Sequence, residues 1–116
     1  MSIDRTPAHL SDMLGFVREL RGIGEAHALD AFSSNRILCL ATEKLFINLG
    51  EAPQRVPEAE RVRMPTIPWR QIIGLRNILA HGYERIEQET LYRTAGSELA
   101  VVERELTACL AARGHR

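Results

Sequence analysis

Lysine is almost absent from this chain of 116 residues: 14 of its 15 basic side chains are arginine and Lys44 is the exception. Those 15 cations are matched by 15 acids, so the formal net charge is zero. A neutral chain cannot hold a polyanion by whole-surface attraction, and any nucleic-acid site has to be local. No apolar run approaches the length of about 18 residues needed to read as a membrane span, and no basic leader runs into an apolar stretch. A membrane partner is therefore not expected, and the cytoplasm is the expected location. The two cysteines, Cys39 and Cys109, stand far apart and form no CxxC or Cys/His cluster, so they read as packing residues without chemistry. No acidic cluster suits magnesium, and neither metal nor cofactor is expected.

Strand alternation and internal repeats are missing as well, which leaves the period of an amphipathic helix as the organising signal. From Ala8 to about Arg21 it places Leu10, Met13, Leu14, Phe16, Val17 and Leu20 on one face, with Gly22 and Gly24 predicting a break near Ile23. A second helix is expected to start between Asp30 and Asn35, carry Ile37, Leu38, Leu40, Ala41, Leu45, Phe46 and Leu49, and stop at Gly50. Residues 51–68 hold Pro53, Pro57, Pro65 and Pro68 and read as a connection or an imperfect helix. A third helix opens at Pro68-Trp69, carries Ile72, Ile73, Leu75, Ile78 and Leu79, and ends at His81-Gly82. The fourth, from about Glu87 to Ala112, uses Leu91, Tyr92, Ala95, Leu99, Val102, Leu106, Cys109 and Leu110, interrupted only by Gly96. Four such helices predict one all-α domain over 1–116, an antiparallel four-helix-type bundle. Phe46, Ile73, Leu99 and Leu106 are expected in its core, and Trp69 either anchors packing or faces a partner chain.

Chemistry concentrates at the end of the third helix, in Arg76-Asn77-Ile78-Leu79-Ala80-His81-Gly82-Tyr83. Arginine is a permanent cation with a fork that matches phosphate oxygens, and histidine exchanges protons near neutrality. Arg76 would bind a scissile phosphate, His81 would move a proton at a ribose 2′-hydroxyl or at the leaving oxygen, and Asn77 would orient either partner. These are the parts of a metal-free RNA cleavage site. The competing reading makes Arg76 and His81 helix caps, Gly82 the residue just past the end, and Tyr83 a packing residue. Asn77 and His81 share a helix face, whereas Arg76 and His81 diverge by about 140°. Either the helix unwinds at Gly82, or two copies pair about a twofold axis so that Arg76 of one meets His81 of the other. Upstream, Arg55, Arg61, Arg63, Arg70 and Arg76 fall within 22 residues whose only acids are Glu58 and Glu60. This run is either a solvated face or an RNA-binding patch in which Arg61, Arg63 and Arg70 serve the motif.

Residues 68 to 83, Pro-Trp-Arg-Gln-Ile-Ile-Gly-Leu-Arg-Asn-Ile-Leu-Ala-His-Gly-Tyr, closely resemble the signature of the HepT-like toxins of the HEPN superfamily, with their Arg-x4-His-x-Tyr motif. The similarity extends to Arg36 through Glu43, which looks like the family's Arg-x-Leu…Glu helix, and to Leu91-Tyr92, where the family favours Val-Trp. Thr42 departs from the glycine often found before Glu43, which puts close helix approach at that point in question.

The resemblance implies a homodimeric helical bundle acting as a ribonuclease toxin in a type II toxin-antitoxin system. It assigns catalysis to Arg76 and His81, with Asn77 as the polar residue beside the arginine. It also implies a minimal nucleotidyltransferase (MNT) antitoxin as partner, which neutralises the toxin by adenylylating Tyr83. The alternative is a non-catalytic helical partner that docks a nucleotidyltransferase and helps hold its nucleotide or substrate.

Overall fold

The computed structural model describes residues 3–82 and 86–114. Helix α1 spans Thr6–Ala26, α2 Leu29–Ser33, α3 Arg36–Glu51, α4 Glu58–Arg61, α5 Trp69–His81, α6 Gln88–Arg93 and α7 Leu99–Ala112. A 3-10 turn, Ala52–Arg55, follows α3, and a π-helical segment, Thr94–Glu98, joins α6 to α7. No strand occurs among the described residues, and the fold is all-α as expected. No helix among them is long and apolar enough to cross a membrane.

The expected break near Ile23 does not occur. Helix α1 runs through Gly22 and Gly24 to Ala26. Its stripe of Leu10, Met13, Leu14, Val17 and Leu20 is buried against α3 and α7. That burial outweighs the cost of about 1 kcal/mol that each helical glycine carries. At the second expected helix the chain instead makes two. Helix α2 buries Phe32, whose ring lies 5.3 Å from that of Tyr92. Asn35 then starts α3 afresh, its Oδ1 accepting from the Leu38 amide at 3.0 Å, a side-chain cap for an otherwise orphaned donor.

The buried face of α3 is Cys39, Thr42, Phe46 and Leu49, a run of spacings three, four and three. Ile37 and Leu40, assigned to that face from the sequence, lie on the other side and are 80% and 47% exposed. Thr42 is buried, and its hydroxyl donates to the Leu38 carbonyl of its own helix at 2.8 Å, so the position expected as glycine is accommodated. The connection after α3 contributes more than links: Ala52, Val56, Met64 and Ile67 are all core residues. Trp69 is a packing anchor, half-buried against the core with its indole N–H donating to the Met64 carbonyl at 3.1 Å. The π-helical segment contains Gly96, where an extra residue widens a turn of an otherwise continuous helix.

Helix α5 sits at the edge of this assembly. Its main neighbour is α3, and it makes little contact with α1 or α7. Ile72 is its one buried residue; Ile73, expected in the core, is only half-buried, as are Leu75, Ile78 and Leu79. The space between α5 and the start of α7 is an apolar cavity of about 410 Å³ over Phe46, Leu49 and Ile72, flanked by Leu75, Leu99 and Val102.

Candidate functional site

Helix α5 carries the candidate residues Arg76, Asn77 and His81, and its pairing with α3 decides where each side chain goes. Gly50 is the contact point. A Cβ built on Gly50 would fall 2.1 Å from Arg76 Cβ and 2.9 Å from the Ile72 carbonyl oxygen. Gly50 therefore does not stop α3, as its residue type suggested. The helix continues to Glu51, and the missing side chain lets α5 approach with Arg76 against it.

This approach brings Arg76 beside Glu51, with Nη2 3.6 Å from Oε2. Arg76 Nη1 donates to Asn77 Oδ1 at 3.1 Å. The Arg76 side chain is 21% exposed and Glu51 is 37% exposed. At that distance and exposure the ion pair is weak and exchangeable, worth about 1 kcal/mol or less. Arg76 Nε is buried and lacks a hydrogen-bond partner. The stem is fixed by packing, while the fork lies at the surface with two nitrogens directed to replaceable acceptors. Glu51 is the residue that sequence reasoning missed. A glycine inside an apolar-periodic helix was the available signal, because such a residue commonly marks a close approach.

His81 is exposed and forms the last residue of α5. Gly82 follows in the left-handed region, φ 66° and ψ 24°, and its amide donates to the Ile78 carbonyl at 2.9 Å. Glycine takes this conformation without the penalty a Cβ imposes, so the helix ends here by backbone geometry. That much of the capping alternative holds for Gly82. Helix α5 stays regular up to His81, so it does not unwind to swing His81 toward Arg76, and the divergence of about 140° persists within one chain. Asn77 is exposed on the same helix face as His81. Tyr83 lies outside the described residues.

The three arginines assigned to RNA do not stay together. Arg61 and Arg70 line one wide groove of about 650 Å³. Arg63 is not among its lining residues; it is largely exposed and pairs with Glu60 at 3.7 Å. Glu43, in the stretch Arg36 to Glu43, accepts from Gln88 Nε2 at 3.0 Å and ties α6 to α3. Tyr92 donates its hydroxyl to the His27 carbonyl at 2.6 Å, a structural role for the aromatic at that position.

Burial pushes the thiols of Cys39 and Cys109 up from their ordinary value, with nearby Glu43 and Glu105 adding to the effect. Cys39 donates to the Phe32 carbonyl at 3.3 Å. Neither is a poised nucleophile. Among the described residues no group of three or more His, Cys, Asp or Glu side chains is placed to hold a metal ion.

The model of the family described as Ribonuclease HepT-like matches residues 13–109. A Methanocaldococcus jannaschii protein provisionally named RNase MJ1380 is 26% identical over 106 residues, covering 91% of this chain and 97% of that protein. A second from the same organism, provisionally named RNase MJ0125, is 26% identical over 98 residues and covers 84% of each chain. A third, provisionally named RNase TTE0752 of Caldanaerobacter subterraneus subsp. tengcongensis, is 23% identical over 90 residues, covering 78% and 77%. No solved structure matches.

Proposed function

We propose a mechanism on the premise that this chain belongs to the HepT-like ribonuclease family, within the HEPN superfamily, and is accordingly a ribonuclease. The reaction we assign to it is metal-independent cleavage of RNA by Arg76, His81 and Asn77. One observation carries the assignment: Arg76 is clamped by its stem against Gly50 while its fork is held at the surface by weak acceptors. A phosphate can replace Glu51 on that fork without any movement of the helix.

In the proposed step His81 takes the proton of a ribose 2′-hydroxyl. The 2′ oxygen bonds to the adjacent phosphorus, and the bond from phosphorus to the 5′ oxygen breaks. A second His81 returns a proton to that leaving oxygen. The products are a 2′,3′-cyclic phosphate and a 5′-hydroxyl end. Arg76 stabilises the charge on the non-bridging oxygens, and Asn77 steadies the arginine fork. Positioned proton transfer is worth about 10²- to 10⁴-fold, and a charge-stabilising donor about 10²- to 10³-fold more.

The second histidine requires a second chain. The divergence of Arg76 and His81 on a regular α5, a helix packed chiefly on α3 at the edge of the assembly, supports a homodimer that completes the site across a twofold axis. In this reading the protein is the toxin of a toxin-antitoxin pair, and an MNT-type nucleotidyltransferase silences it by adenylylating Tyr83. Incubation of the purified protein with RNA in the presence of EDTA, followed by mapping of the ends, is the test. Cyclic phosphate and 5′-hydroxyl termini support the mechanism, whereas cleavage that stops on chelation or leaves 5′-phosphates refutes it. A folded protein with no cleavage favours the non-catalytic docking role.

A further inference from the structure

We infer that the groove at the start of α5 is a second phosphate subsite, which grips the RNA strand a few nucleotides from the bond cut at Arg76 and His81; this rests on the ribonuclease reading above.

The groove holds Arg61 from the end of α4 and Arg70 from the first turn of α5, with Trp69 and Ile73 on its wall. Glu58 is the only acid lining it, so the local balance favours an anion although the whole chain is neutral. Arg70 is exposed and makes no ion pair among the described residues. Arg61 is half-buried; its Nε is buried beyond a ligand's reach, but its side chain makes no ion pair among the described residues. Both cations are thus available to a ligand, unlike Arg93 and Arg113, which are paired with Glu89 and Glu60. The first turn of α5 meets the same groove with no acidic residue and no side-chain cap, so its amide end adds positive potential.

Register along α5 connects the groove to the chemistry. Arg70 and His81 are eleven residues apart, which brings them within about 20° of each other around the helix and about 16 Å apart along it. Arg70, Asn77 and His81 are exposed along that one stripe. A strand whose phosphate reaches His81 can follow the stripe to Arg70 and Arg61. The half-buried indole, held by its bond to Met64, gives the groove a rigid wall. Such a site reads phosphates and is indifferent to sequence.

The test uses 2′-O-methyl RNA, which keeps every phosphate but cannot form the attacking 2′ oxyanion. Its binding is followed by fluorescence anisotropy across a salt series. Arg61→Gln with Arg70→Gln should weaken binding about tenfold or more, as expected for two charge-assisted hydrogen-bonding cations. The log–log salt slope should become shallower by about 1.4, at roughly 0.7 for each phosphate left without its cation on a single strand. Arg63→Gln, an equal change of charge outside the groove, should leave both quantities nearly unchanged. On unmodified RNA the double variant should raise KM for a long strand yet cleave a dinucleotide as the wild type does. Should the double variant lose its fold, Arg70→Gln alone carries the test with a slope change of about 0.7.

The inference is overturned if the wild type does not bind the probe. Unchanged binding in the folded variants, or an equal effect of Arg63→Gln, overturns it as well; groove-dependent capture of an acidic peptide without any capture of RNA would assign the site to a protein partner instead. Groove-dependent binding in a protein that cleaves nothing would leave the subsite standing and remove the catalytic reading.

Discussion

Gly50 and Arg76 touch across the α3–α5 crossing so closely that a methyl group at position 50 would lie 2.1 Å from Arg76 Cβ. The site therefore depends on a residue that contributes no functional group. Gly50→Ala should push α5 away from α3 and displace Arg76 together with Ile72. We expect a stability loss of about 1–3 kcal/mol from overpacking, and loss of RNA cleavage in the fraction that remains folded. Chemical denaturation combined with a cleavage assay checks both. A variant as stable and as active as the wild type would show that the crossing has room to adjust.

Arg76 and His81 should respond differently to substitution. His81 is exposed at a helix end, so His81→Ala should abolish cleavage while the protein stays folded. Arg76→Ala should abolish cleavage and also cost stability, because its stem packs against Gly50. Arg76→Lys keeps the stem but lacks the planar fork, and should fold well yet cleave poorly. Full activity in Arg76→Lys would reduce the arginine's role to a point charge.

In the proposed mechanism Glu51 competes with substrate for that fork. Replacing it with glutamine should leave stability nearly intact and tighten RNA binding by up to about fivefold, the equivalent of a surface ion pair worth at most about 1 kcal/mol. Titration of labelled RNA at fixed salt measures it. Weaker binding in Glu51→Gln would instead mark the carboxylate as a support that aims the arginine.

Tyr83 lies two residues beyond His81, and an AMP transferred to it would bring a phosphodiester close to the active motif, able to repel RNA. If the proposed pairing holds, co-expression with an MNT-type nucleotidyltransferase should add AMP-sized mass to the wild type and none to Tyr83→Phe, which should stay active. Additions that persist in the Phe variant, or silencing without added mass, would leave occlusion by the partner as the mode of control.

The α1–α7 packing has its own pH signature. Hydrogen bonds from Arg21, and then Arg18, hold the Glu103 carboxyl below its ordinary value of 4.5, against the opposing pull of burial. A depressed folded value means that this contribution is present above the unfolded value and is lost as the pH falls through the folded one. Acid titration should therefore show stability decreasing below about pH 4.5, and Glu103→Gln should flatten that limb while lowering stability at neutral pH. An unchanged acid limb in the variant would assign the acid sensitivity to other carboxylates.

Periodicity alone was enough for the all-α fold, for the α1 and α7 stripes and for the placing of Arg76, Asn77 and His81 on the last turns of one helix, because a helix repeats every 3.6 residues whatever surrounds it. Residue type also foretold the left-handed Gly82, since that conformation is set by the local backbone. The same local rules failed at Gly22 and Gly24, where burial of neighbouring leucines overrides propensity, and at Gly50, whose lack of a side chain serves α5 rather than the end of α3. They failed again for Ile37, Leu40 and Ile73, whose exposure depends on which face of each helix finds a neighbour. Only tertiary packing decided that Glu51 meets Arg76 and that Arg61 and Arg70 share a groove while Arg63 does not, because these pairs are joined by helix crossings and loop paths that no single segment encodes.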